Sequence, residues 1–173
     1  LDEVKRKFFG TLYNTYNFFA LYANIDKFTY QEEEVALADR PEIDRWIISL
    51  LNTLIKDVKA EYENYEPTRA ARLIQDFVSE NLSNWYVRLN RKRYWGGEFD
   101  TDKRAAYQTL YTCLETISML AAPIAPFYMD KLFRDLNSVT RRYDDESVHL
   151  SLFPEHDPKL IDSALEKRMD VAQ

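Results

Sequence analysis

Four cations and four aromatic rings crowd residues 85–95, WYVRLNRKRYW. Arg88, Arg91, Lys92 and Arg93 stand among Trp85, Tyr86, Tyr94 and Trp95 with no acid between them, and no other stretch has this make-up. At about 100° per residue, Asn81, Asn84, Arg88, Arg91, Lys92 and Trp95 share one helix face, while Leu82, Trp85, Tyr86 and Leu89 share an adjacent one. The spacing predicts a helix with a core face beside a basic, amide-rich face. Guanidinium and ammonium groups neutralise phosphates, asparagine amides both donate and accept at sugars or base edges, and an exposed indole offers a stacking surface. That is the inventory of RNA recognition. Arg69 and Arg72 add charge upstream. A second reading stays open, because bundle arginines commonly meet carboxylates of a neighbouring helix and residues 30–66 carry ten acids against four bases.

Other reactive side chains point to little chemistry. His149 and His156, with Glu155 and Asp157, have a spacing that matches no common zinc pattern, so surface positions in a connector are expected and no metal is. Cys113 lies on the apolar side of a helical stripe, where a small buried thiol is usual and a reactive thiolate would want nearby cations. No glycine-rich phosphate loop, Ser/His/Asp set or opposed carboxylate pair is present, so the chain by itself is not expected to be an enzyme.

The elements that must carry these side chains are helices. Val4, Phe8, Leu12, Tyr16, Phe19 and Tyr22 recur at three- and four-residue steps, predicting one amphipathic helix weakened by Gly10. Pro41, with Glu42 and Asp44 behind it, suits the start of a second, whose stripe is Ile47, Leu51, Leu54, Val58 and Tyr62. Pro67 opens a third, through Ala70, Leu73, Ile74, Phe77 and Val78 towards Tyr94, where Gly96 and Gly97 stop it. Asp100 or Thr101 caps a fourth, with Tyr107, Leu110, Leu114, Ile117 and Leu120 apolar, and a short helix is expected from Pro123 through Leu136. The fold class is therefore all-α, an antiparallel helical bundle over residues 1–137. Residues 138–173 read as a connector, with a short strand or extended strap at 148–153, followed by a truncated C-terminal helix from about Pro158. Trp46, Leu51, Leu54, Ile74, Phe77, Leu110, Leu114, Ile117 and Phe127 are the expected core.

Composition bounds the function classes. The 173 residues hold three glycines and one cysteine, which disfavours turn-rich β folds and excludes an internal disulfide; a reducing, cytoplasmic setting is expected. The formal charge of −6 excludes a uniformly basic nucleic-acid coat while allowing a local basic patch. No apolar run of about 18 residues could span a bilayer, and residues 1–9 show no signal-peptide pattern. The chain begins at Leu1 within a periodic pattern and reaches Gln173 without a stop signal, as expected of an excised piece.

An ordered series runs nearly the length of the chain: GTLYNTYNFFALYAN at 10–24, DRWI at 44–47, the link at 65–71, LSNWY at 82–86 through RYW at 93–95, and AAPIAPF at 121–127. This series resembles the isoleucyl-tRNA synthetases, in the helical anticodon-binding region that follows the catalytic domain of class I enzymes for isoleucine, valine, leucine and methionine. Residues 14–24, SVHL at 147–150 and FP at 153–154 look most like the isoleucine enzymes, with the valyl enzymes the nearest competitor. The resemblance implies a cytoplasmic parent that activates isoleucine with ATP and magnesium and transfers it to tRNA(Ile), this bundle helping to hold the anticodon arm. Its partners would be tRNA(Ile) and the catalytic domain of the same chain, which residues 1–22 would partly meet, with no DNA and no membrane. The family's HIGH and KMSKS signatures are absent, so the implied chemistry lies upstream and no cofactor is expected in this piece. The residues carried forward as tRNA-binding candidates are Asn81, Asn84, Arg88, Arg91, Lys92 and Trp95. The resemblance leaves open whether their face meets anticodon bases, the stem backbone or an interdomain seam. A protein-binding bundle whose basic face docks on an acidic partner is the alternative from another class.

Overall fold

A computed structural model describes Glu3 and residues 5–173; Val4 of the first expected stripe lies outside the described residues. These residues form an all-α bundle, with no β-strand among them. A π-helical turn, Lys5–Gly10, leads into α1 (Thr11–Asp26), which buries Leu12, Thr15, Phe19 and Ala23 at helical steps. Helix α2 (Glu42–Glu63) follows Pro41 and carries Glu42 and Asp44 in its first turn, where carboxylates complement the helix dipole. After a turn in which Tyr65 takes a left-handed φ of 57°, α3 (Pro67–Asp76), a π-helical segment (Phe77–Val87) and α4 (Arg88–Tyr94) run on as one continuous helix. Gly96 and Gly97, at φ 56° and 78°, end it in the left-handed region that glycine enters without a Cβ penalty.

Helix α5 (Thr101–Leu120) is the axis of the bundle. Asp100 caps it by accepting from the Lys103 backbone N–H at 2.8 Å. Its apolar stripe suggests a one-sided helix, yet burial extends around the circumference and takes in Gln108, Thr109, Glu115 and Ser118. Such positions are tolerable only when their polar atoms find partners. Gln108 accepts from Val35 N at 2.9 Å and donates to the Glu33 carbonyl at 3.1 Å, and Thr109 Oγ1 accepts from Arg40 Nη1 at 3.0 Å. The long α1–α2 connection is held to α5 through these groups, with Arg40 Nε also donating to the Val35 carbonyl at 2.9 Å.

Helix α6 (Pro126–Thr140) starts at Pro126 rather than Pro123 and continues past Leu136, because residues 121–125 form turns. That shift corrects one expected core residue. Met129, Leu132, Phe133, Leu136 and Thr140 are the buried positions of α6, and Phe127, two residues or about 200° from Met129, is 91% exposed. The other eight expected core residues are buried.

Residues 148–150 form a 3-10 turn rather than the expected strand or strap. Asp130 of α6 accepts from Ser147 Oγ at 2.7 Å and Val148 N at 2.9 Å, so the backbone there is satisfied locally instead of by a neighbouring strand. The chain then returns to α2. Asn52 Oδ1 accepts from Asp157 N at 2.9 Å, and Ser49 Oγ accepts from Asp162 N at 2.7 Å while donating to Glu166 at 2.9 Å. After a 3-10 turn at Pro158–Leu160, the last helix, α7 (Ser163–Ala172), buries Leu165 against this seam. No helix of the described residues is long and apolar enough to cross a membrane.

Candidate nucleic-acid interface

The π-helical segment decides which side of the 67–94 helix faces out. Its i→i+5 hydrogen bonding widens each turn, so a step of four residues stays on one side instead of drifting by about 40°. Val78, Leu82 and Tyr86 of the segment accordingly form one buried row, which Asn90 and Tyr94 continue into α4. Uniform α geometry places Leu89 on the core face; it is instead 58% exposed, beside the basic positions, and Asn90 is buried in its stead. Asn90 is satisfied there by donating from Nδ2 to the Tyr86 carbonyl at 2.6 Å.

The four cations of the motif divide in two. Arg93 turns inward and, itself partly buried, pairs with a buried carboxylate: Nη1 and Nη2 reach Oδ1 and Oδ2 of Asp44 at 2.6 and 2.9 Å, and Nε reaches Asp102 at 3.1 Å. Asp44 has no solvent exposure and also accepts from the Tyr86 hydroxyl at 2.8 Å. Burial alone would lower the Arg93 pKa, but its hydrogen bonds to Asp44, the charge there and Asp102 raise it above the ordinary guanidinium value. Burial, with the adjoining Tyr94 and Asp44, pushes the Tyr86 phenol well above its ordinary value. The bidentate geometry is the strong form of this contact.

Arg88, Arg91 and Lys92 are exposed, and none forms an ion pair among the described residues. Arg91 and Lys92 lie in the last turn of α4, where positive charge also complements the helix dipole. Asn84 is exposed one turn upstream with a long 3.5 Å contact to Glu80, and Asn81 is half-buried. Trp95 is 51% exposed in extended conformation directly after buried Tyr94, whose hydroxyl donates to the Ala106 carbonyl at 2.9 Å. The following corner is fixed by a residue the sequence reading did not single out. Lys103, itself buried, donates to the Gly96 carbonyl at 3.1 Å and pairs with Asp26 of α1 at 2.8 Å; Asp26 also accepts from Tyr107. Trp95 therefore sits between two anchored neighbours, half-exposed at the end of a basic helix. Arg69 and Arg72 are exposed near the start of the same helix.

Five of the six candidate residues thus stand exposed at three- and four-residue steps, with Asn81 partly covered, and Leu89 joins them unforeseen. Arg93, Asp44 and Lys103 act behind that face. Asp44 carried no distinguishing signal beyond its place in the DRWI series, since a first-turn carboxylate is ordinary. Elsewhere, Cys113 is buried and its thiol is pushed up by that burial, while His149 Nε2 lies 3.1 Å from the Pro126 carbonyl. Among the described residues no three His, Cys, Asp or Glu side chains are grouped as a metal site.

Residues 44–173 match a family model described as the anticodon-binding domain of tRNA ligase. Isoleucine–tRNA ligase of Bacteroides thetaiotaomicron is 64% identical over 173 residues, all of this chain and 15% of that protein. The same enzyme of Cytophaga hutchinsonii is 63% identical over the same span, 16% of its length, and that of Dehalococcoides mccartyi strain CBDB1 is 50% identical over 169 residues. The chain spans about 15% of the length of the curated relatives that it matches.

Proposed function

This chain belongs to the anticodon-binding domain family of tRNA ligases, and from that premise we propose that it holds the anticodon arm of tRNA(Ile) for an isoleucine–tRNA ligase. The names and identities of its relatives support the amino acid. In this reading the parent uses ATP and magnesium to activate isoleucine in a catalytic domain elsewhere in the same chain, in the cytoplasm, and the bundle contributes binding alone. Arg88, Arg91 and Lys92 contact phosphates, Asn84 and Asn81 reach sugars or base edges, and Trp95 stacks. The observation that carries this is the division of the cation cluster. One arginine is consumed by buried Asp44 and exposed Asp102, and the three beside it have no acid partner among the described residues.

Salt dependence tests it. For the full-length parent, a plot of log affinity for tRNA against log salt should lose roughly 2 to 3 units of slope when Arg88, Arg91 and Lys92 all become alanine, at about 0.7 to 0.9 per phosphate contact. Cognate and noncognate tRNA should weaken alike, and isoleucine-dependent ATP exchange should continue at nearly the wild-type rate. A triple variant with an unchanged slope removes these residues from the interface. A preference for duplex DNA over folded tRNA would overturn the reading as a whole.

A further inference from the structure

Two segments that stand out in the sequence, 121–127 (AAPIAPF) and 147–154 (SVHLSLFP), take no part in the basic face. They hold no Asp, Glu, Lys or Arg, although such residues make up 30% of the chain. Both lie at one end of the bundle, where α2 and α5 stop and α6 starts. His149 Nε2 meets the Pro126 carbonyl there, the Phe153 ring lies 5.9 Å from that of Tyr62, and the Tyr62 hydroxyl donates to the Leu120 carbonyl at 2.7 Å. The segment Lys5–Gly10 crosses the same end: Phe8 and Phe9 meet Ala71, Ala121 and Ile124 around a small apolar hollow, and the Phe9 ring packs on Tyr128 at 5.1 Å. Around these contacts Tyr65, Phe127, Leu150 and Leu152 stand 68–91% exposed. Single exposed apolar side chains are ordinary, but four gathered at one end, beside two segments free of charge, have the make-up of an interface core.

Charge, area and the length of the relatives together select what covers this end. Nucleic acid is disfavoured, because neither segment offers a lysine or arginine and Glu63 and Glu66 flank Tyr65. A separate protein or a second copy is disfavoured by area, since four side chains fall short of the roughly 800 Å² per partner that stable complexes bury. A tethered domain needs less, because its linker holds it at up to millimolar effective concentration. The chain spans about 15% of the length of its relatives, so the greater part of such a polypeptide lies outside these 173 residues. We propose that Tyr65, Phe127, Leu150 and Leu152 dock on the portion of the same polypeptide outside residues 1–173. The 67–94 helix starts at this end, beside Ile124, and leads to Trp95, so the docked face and the outward cations lie at opposite ends of one continuous helix. Docking there sets how far the basic face stands from the rest of the polypeptide. It holds whether or not Arg88, Arg91 and Lys92 touch tRNA.

Photocrosslinking in the full-length protein, without tRNA, tests this. The photoreactive amino acid p-benzoylphenylalanine replaces Tyr65, Phe127 or Leu150 in turn, and Ile25 as a control, since Ile25 is equally exposed but lies beside Asp26 at the other end of the bundle. Positions 65, 127 and 150 should crosslink within one chain to peptides outside residues 1–173, and position 25 should not reach those peptides. The pair Phe127→Asp and Leu150→Asp, on exposed sites and expected to fold, places carboxylates in the apolar seam and should lower the crosslink yield from position 65 by about tenfold or more. Crosslinks confined to residues 1–173, crosslinks between two chains, no crosslink at all, the same peptides reached from position 25, or an unchanged position 65 yield in the aspartate pair overturns the proposal. The salt-slope measurement on the triple cation variant is unaffected by any of these outcomes, so the two readings fail separately.

Discussion

Arg93 and its neighbours Arg91 and Lys92 are consecutive or nearly so, belong to one turn of one helix, and have opposite fates. Arg93 points to Asp44, a carboxylate with no exposure 49 residues away, and closes a network with Tyr86, Asn90 and Asp102. Arg91 and Lys92, with Arg88 a turn earlier, stay in water without a carboxylate partner among the described residues. A basic run is therefore not one electrostatic object. Its inward member compensates a buried charge and is a component of the fold, while its outward members cost the fold little and are available to a ligand.

The largest expected effect falls on the inward member. Arg93→Ala leaves Asp44 buried and unpaired and should destabilise the protein by about 3 to 5 kcal/mol in denaturant unfolding. A loss below about 1 kcal/mol would erase the distinction drawn between the two sets. Leu114→Ala, a purely apolar deletion on the bundle axis, gives the scale, with an expected loss of about 2 to 5 kcal/mol.

Tyr86→Phe removes one donor from Asp44 and should cost about 1.5 to 3 kcal/mol near neutral pH. It also carries a pH signature. A phenol whose folded pKa is raised contributes stability fully below its unfolded value near 10, and that contribution is lost as pH climbs toward the folded value. Wild-type stability should therefore fall more steeply above pH 10 than that of Tyr86→Phe, which urea midpoints across that range would show. Parallel curves would mean the phenol is not held protonated by its burial beside Tyr94 and Asp44.

The smallest effects on folding belong to the outward set. Alanine at Arg88, Arg91 or Lys92 should change stability by no more than about 0.5 kcal/mol each, as should Phe127→Ser on the exposed first turn of α6. If the triple variant loses stability comparable to Arg93→Ala, the outward cations are structural too.

Much of the helix pattern was legible because it depends on local rules. Prolines at the starts of α2 and α3, the Asp100 cap, the glycine stop and stripes at three- and four-residue steps are all contained within short windows. Phe127 was misplaced because two prolines three residues apart both fit a first turn, and packing selected the second. Leu89 was misplaced because constant 100° spacing knows nothing of a π-helical segment. The partner of Arg93 was illegible for a different reason: acids outnumber bases throughout residues 30–66, and only tertiary structure picks Asp44 from among them. The same holds for α5, where Gln108, Thr109 and Glu115 resemble a solvent face in sequence and are buried in fact. Of the candidate interface, exposure could be anticipated for Asn84, Arg88, Arg91, Lys92 and Trp95, but not the Lys103 contact that fixes the corner beneath Trp95.

The hydrogen bonds that seat residues 157–166 on α2 span 105 to 117 positions of sequence. During synthesis at roughly 5 to 20 residues per second, α2 therefore waits on the order of 5 to 20 seconds before Ser49 and Asn52 can meet their partners. In that interval its outer side is hydrated, and the nascent bundle must hold its remaining faces together through α3 and α5. A ribosome pause placed within that window would lengthen the exposure of this seam without touching the helix that carries the cations.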